Sequence, residues 1–145
     1  MIDDRTTAYV LAAQPVFEDL RQVAAQVAGL LVLAATGSRE STPDHPMLAA
    51  SALVLAKAED GVKRAAALVT DGARPHHARV AAAAASLQRA LACAGAWPID
   101  VDAVLVPLRG AYDHLQQASS VLPGFQMVSF DQACCSVHLK VDATV

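Results

Sequence analysis

At 145 residues, 54% of them apolar and 17% charged, the chain has the make-up of one ordinary folded domain and excludes a disordered one. Its formal net charge is −3, and its 11 basic residues are scattered, the densest pair being Lys63-Arg64 just after Glu59 and Asp60. No basic stripe is present to neutralise a row of phosphates, which argues against nucleic acid as the main partner.

The N-terminus, Met1-Ile2-Asp3-Asp4-Arg5-Thr6-Thr7, has no basic stretch followed by an apolar run, so no signal peptide is expected there. A first helix is predicted from about Asp4 to Thr36. Apolar residues recur every three or four positions at Ala13, Val16, Leu20, Val23, Val27, Leu30 and Ala34, with Glu18, Asp19, Arg21, Gln22 and Gln26 on the other side. Pro15 removes a backbone hydrogen bond, so a kink or a short separate N-terminal helix is expected there. The apolar run from Val27 to Ala35 is shorter than the about 20 residues a bilayer crossing needs, and no membrane partner is expected.

Gly37 to Pro46 has the composition of a loop. A second helix is predicted over 43–70, capped by Thr42 or Asp44, with Leu48, Ala52, Leu55, Val62, Ala66 and Val69 inward. Glu59-Lys63 and Asp60-Arg64 have the acid-first spacing of helix-surface pairs. Asp71-Gly72 ends this helix, and Pro75 opens a third over 75–94, with Val80, Ala84, Leu87 and Leu91 inward and Gly95 as its stop. The run Ala81 to Ala85 permits a close neighbour. A fourth helix is predicted over 100–122, burying Val101, Val104, Leu108, Tyr112, Leu115 and Val121, with a bend caused by Pro107. Gly29, Gly61 and Gly110 fall inside helices, where each costs about 1 kcal/mol against alanine unless it permits close packing.

Four helices with short links, rich in alanine and with only 4% aromatics, predict an all-α fold: an antiparallel, up-down four-helix bundle in a single domain, 1–145. The tail, 123–145, differs. Val137, Leu139 and Val141 alternate with His138, Lys140 and Asp142, and Phe125 to Phe130 has the make-up of an opposing strand. This predicts a short C-terminal extended segment or hairpin. Such a hairpin is marginal alone, so it must lie on the bundle or pair with another chain.

Two constellations carry possible chemistry. Cys134-Cys135-x-x-His138 offers soft ligands for zinc or another transition metal, yet in an extended segment Cys134 and His138 share a face and Cys135 points away. The bland alternative is a docked apolar segment in which the cysteines act as small hydrophobes. His76-His77 opens the third helix, at the end of an up-down bundle that also holds the end of the fourth helix and the start of the tail. His114 lies about two turns inward. Convergence of His76, His77, His114 and His138 is thus conceivable in space, against the alternative of two solvated loop histidines.

A carboxylate-bridged di-iron site is excluded, because none of Glu18, Glu40 and Glu59 has a histidine three residues on. Histidine phosphotransfer at His114 lacks the expected lysine and glycine neighbours. No GxSxG, GxxxxGK[ST] or GxGxxG sequence is present. Cys93, Cys134 and Cys135, three in number, cannot all pair within one chain, which fits the reducing cytoplasm.

The leading expectation is a non-enzymatic interaction protein, such as a small bacterial-type adaptor or regulator, working as a homodimer or with another protein and needing no cofactor. The rival is a ligand- or metal-binding bundle using His76, His77, His114, Cys134, Cys135 and His138. Its weaker form is phosphotransfer.

Overall fold

The structure, a computed structural model, describes residues 4–35, 46–95, 100–122 and 125. Four helices follow one another: α1 (Asp4–Ala35), α2 (Pro46–Ala66), α3 (Arg74–Ala94) and α4 (Val101–Val121). No strand occurs among the described residues, and none of these helices is long and apolar enough to cross a membrane. The predicted cap of α2 at Thr42 or Asp44, and the strands predicted in the tail beyond Phe125, lie outside the described residues.

The predicted stripe of α1 is its buried face: Ala13, Val16, Leu20, Val23, Val27 and Leu30 are all inside. It extends one turn back to Tyr9, and Phe17, Ala24, Ala28 and Leu31 widen it. That width lets α1 touch all three other helices. Pro15 is exposed, and α1 passes through it as one helix, so the separate N-terminal helix does not form. The stripes before and after the proline are in phase and both buried. Packing therefore holds the two halves together against a lost hydrogen bond.

In α2 the buried residues are Leu48, Ser51, Leu55, Ala58, Gly61 and Ala65. Ala52 and Ala66, predicted inward, are exposed, while Val62 and Val69 are half-buried. Spacing does not fix which side an alanine takes; Ser51 takes the inner place, its hydroxyl donating to Gln26 Oε1 on α1 at 2.6 Å. The helix also stops at Ala66 instead of Thr70. The N–H groups of Ala67, Leu68 and Val69 reach back three residues, to Arg64, Ala65 and Ala66, and the chain passes into turns. The two expected surface pairs, Glu59-Lys63 and Asp60-Arg64, do not close; α2 is tied instead by Lys57 to Asp19 on α1, at 3.4 Å.

In α3, Val80, Ala84 and Leu87 are buried and Leu91 is half-buried. Gly95 ends the helix as expected, but with φ −79°, so the stop does not depend on a left-handed glycine. Asp100 caps α4, its Oδ1 accepting from the N–H groups of Asp102 (3.1 Å) and Ala103 (3.3 Å). Val104, Leu108, Tyr112 and Leu115 are buried, Val101 is half-buried and Val121 is exposed. Ala118 and Leu122 take the inner positions at that end, one residue out of phase with the expectation.

Gln26 meets Ser51 and Val16 lies against Gly61, so α1 and α2 are antiparallel. Arg79 meets His114 and Ser86 lies near Gly110, so α3 and α4 are antiparallel too. Thr6 Oγ1 and Thr70 Oγ1, 3.0 Å apart, tie the start of α1 to the link between α2 and α3. With α2 and α4 out of contact, these pairings give the expected up-down four-helix bundle. Of the helical glycines, only Gly61 is needed for a close approach: a Cβ there would collide with Val16 Cγ2. One at Gly110 would make ordinary contact with Ser86 Oγ, and one at Gly29 would meet nothing.

Candidate functional site

The start of α1, the turns before α3 and the exit of α4 meet at one end of the bundle. Pro75 sets His76 in the first turn of α3, and the stripe of α1 brings Tyr9 and Phe17 to it. Tyr9 Oη and His76 Nδ1 are 2.7 Å apart, and both residues are wholly buried. The rings of Phe17 and His76 are stacked, 6.3 Å apart. Phe125, just beyond α4, covers the histidine at 4.2 Å between ring centres and meets Phe17 edge-on at 5.2 Å. His77 lies beside Tyr9, ring centres 6.0 Å apart.

His76 Nε2 is buried and has no hydrogen-bond partner among the described residues. A neutral imidazole carries one proton, so Nε2 is either an unpaired N–H or an unpaired acceptor, depending on which way the Tyr9 bond runs. Burial, with the nearby His77 adding to it, pushes the His76 pKa down to about 4. Burial also raises the Tyr9 pKa, so both partners are neutral near pH 7. The His77 pKa is lowered by partial burial.

The predicted site residues divide into three groups. His76 and His77 stand together in helix α3, not in a loop; His76 is wholly buried against the rings of Tyr9, Phe17 and Phe125, and His77 is half-buried, which overturns the alternative of two solvated loop histidines. His114 is half-buried with Nδ1 3.4 Å from the Arg79 guanidinium. Burial is the main cause that lowers its pKa, Arg79 and Arg89 acting in the same direction and Asp113 against it. A cation at that distance opposes a metal ion on the same nitrogen. Cys134, Cys135 and His138 lie outside the described residues, and Cys93 is a half-buried free thiol. Among the described residues, no three His, Cys, Asp or Glu side chains come together as a metal site.

Sequence reasoning missed Tyr9, Phe17 and Phe125 as parts of this cluster. Tyr9 sits four residues before Ala13 and Phe17 eight after Tyr9, a signal present in the α1 spacing. Phe125 was assigned to a strand, and no local pattern marks it as an aromatic plug. A shallow groove lined by Gln14, Pro15, Phe17, Glu18 and Phe125, about 260 Å³, lies beside it. A larger one, about 730 Å³, runs between Arg5, Thr6 and Ala8 of α1 and the turns 67–72. Comparison with family models, with curated proteins and with solved structures gives no match.

Proposed function

We propose that the chain is a non-enzymatic interaction protein, of adaptor or regulatory kind, that works in the cytoplasm as a homodimer. The observation that supports this reading is the set of large aliphatic side chains on the outside of the bundle. Leu53 and Val106 are each 75% exposed and Leu11 is 65% exposed. One exposed leucine is ordinary. Here three helices each carry one, and the sequence after Phe125 is itself rich in large apolar residues, among them Met127, Val128, Phe130, Val137, Leu139 and Val141. Covering Leu11, Leu53 and Val106 with a second copy forms an isologous interface, the commonest kind.

Phe125 is packed on its own bundle, so the segment offered to a partner begins after it. Light scattering of the full chain at micromolar concentration should give a dimer. Truncation after Phe125 should give a monomer that keeps its helix content, because the aromatic plug is retained. A monomeric full-length chain overturns the proposal.

A second reading, a ligand- or metal-binding bundle, is favoured by one observation, the unpartnered Nε2 of His76. Metal content of protein purified without a histidine tag tests it. Bound zinc that falls in His76→Ala, Cys134→Ser and His138→Ala would support that reading. Metal-free protein would end it.

A further inference from the structure

His76 is a buried titratable group packed against the rings of Tyr9, Phe17 and Phe125, at the end of the bundle where α4 finishes. Its surroundings suit only the neutral form. In that form one hydrogen serves the 2.7 Å contact between Tyr9 Oη and His76 Nδ1, whichever group donates it. A second proton on the ring makes both nitrogens donors. Tyr9 Oη must then accept from Nδ1, and its own hydroxyl hydrogen loses its acceptor. The N–H at Nε2 has none either, because that atom is buried without a partner among the described residues. Protonation therefore leaves two buried donors unpaired and adds a charge among apolar rings.

Among the described residues, no neighbouring charge offsets this. From α1 the group facing His76 is the neutral Tyr9. From its own helix it is His77, whose charge opposes a second one. Glu18 of α1 lines the groove beside Phe125 but is exposed and bonded to Arg21 at 2.8 Å. From the chain after α4 it is Phe125, which carries no charge and brings only its ring, 4.2 Å away. The first turn of α3 adds the positive end of a helix dipole.

No described residue stands ready to accept these hydrogens, so water must, and Phe125 lies between the His76 ring and the groove. Tyr9, in the second turn of α1, and Phe17, near its middle, are both held within that helix and cannot withdraw without displacing it. Phe125 lies outside every helix, so its release disturbs no helical hydrogen bond. We propose that His76 is an acid-release latch: protonation of its ring expels Phe125 from its place against His76 and Phe17. The latch does not rest on the dimer proposed above, since it acts within one chain.

The test uses the full chain with 4-fluorophenylalanine at its three phenylalanines, Phe17, Phe125 and Phe130, followed by fluorine NMR. The His76 ring is followed in parallel by its carbon-bound proton shifts. Between pH 7 and about 4, the Phe125 resonance should move to a solvent-exposed shift in step with His76 protonation, while the far-ultraviolet helical signal stays. By reciprocity, removing the plug must ease protonation. Phe125→Ala should therefore raise the His76 midpoint by at least about one pH unit, a tenfold change in proton affinity. This variant leaves the helices intact and does not depend on the folding of a His76 variant. His76→Leu, where it folds, should keep Phe125 buried down to pH 4. An unmoved His76 midpoint in Phe125→Ala overturns the latch. So does a Phe125 resonance that stays buried once His76 is protonated, or one that moves only as the whole bundle unfolds.

Discussion

Alanine substitution at two helical glycines should have opposite effects. Glycine in a helix interior costs about 1 kcal/mol relative to alanine, so Gly→Ala is expected to stabilise wherever a methyl group fits. At Gly29 the added Cβ meets nothing within contact distance, and Gly29→Ala should raise stability by about 0.5–1 kcal/mol. At Gly61 it would collide with Val16 Cγ2. Valine in a helix has one strongly preferred rotamer, and Val16 is 4% exposed, so the methyl has no free space to swing into. Either α1 and α2 separate or Val16 is strained. Overpacking of this kind costs about 1–3 kcal/mol, which exceeds the helix-propensity gain. Gly61→Ala should then destabilise by up to about 2 kcal/mol once that gain is offset. Urea unfolding followed by circular dichroism gives both values. A double-mutant cycle sharpens the result: in a Val16→Ala background the obstructing methyl is gone, and Gly61→Ala should become stabilising. If Gly61→Ala stabilises the native sequence as Gly29→Ala does, or if Val16→Ala leaves its sign unchanged, the close approach of α1 and α2 is not what Gly61 provides.

Leu20 and Leu115 are each wholly buried, and Leu→Ala at either should lower the unfolding free energy by about 2–5 kcal/mol; a loss under about 0.5 kcal/mol would place that residue at the surface. Ser51→Ala removes the donor to Gln26 Oε1, but Gln26 is half-exposed and can turn to water, so a loss of no more than about 1 kcal/mol is expected in the same assay. Stability should also fall with acid through His76. Its folded pKa of about 4 lies below the ordinary value of 6.5, so the unfolded chain takes up the proton first. The contribution is complete above pH 6.5 and lost on the way down to pH 4. That 2.5-unit difference corresponds to about 3 kcal/mol. Unfolding curves at pH 7, 5.5 and 4.5 for the native chain and His76→Leu should diverge accordingly; parallel curves would refute it.

The fold was legible because the large aliphatic residues repeat with a helical period. Leu20, Val23, Val27, Val80, Leu87, Val104, Leu108 and Leu115 are each placed inward by spacing alone, and each is buried. Alanine was not legible in the same way. It is apolar enough for either side of a helix and too small to insist on one, so Ala52 and Ala66 point to solvent while Ala58 and Ala65 are buried. What decided the α2 face was a hydrogen bond from Ser51 and the space left by Gly61. Both are residues that a hydrophobic pattern counts against burial.

The site was legible in its location but not in its chemistry. Up-down topology alone brings His76 and His77 to the end of the bundle where α4 finishes, and ligand counting then asks which other donors join them. The structure brings aromatic rings instead. Alanine packing explains why they gather there. Ala83, Ala90 and Ala94 of α3 and Ala111 and Ala118 of α4 are all buried, which lets helices approach closely and leaves little room between them for a ring. Bulky planar groups then fit best where a helix begins or the chain departs. Tyr9 lies in the second turn of α1, His76 in the first turn of α3, and Phe125 just past α4. A histidine in that setting is enclosed by apolar surface on the sides that a metal site would fill with donors. The same close packing that makes this sequence a four-helix bundle thus leaves an unpaired nitrogen at its end, with a single detachable ring between that nitrogen and water.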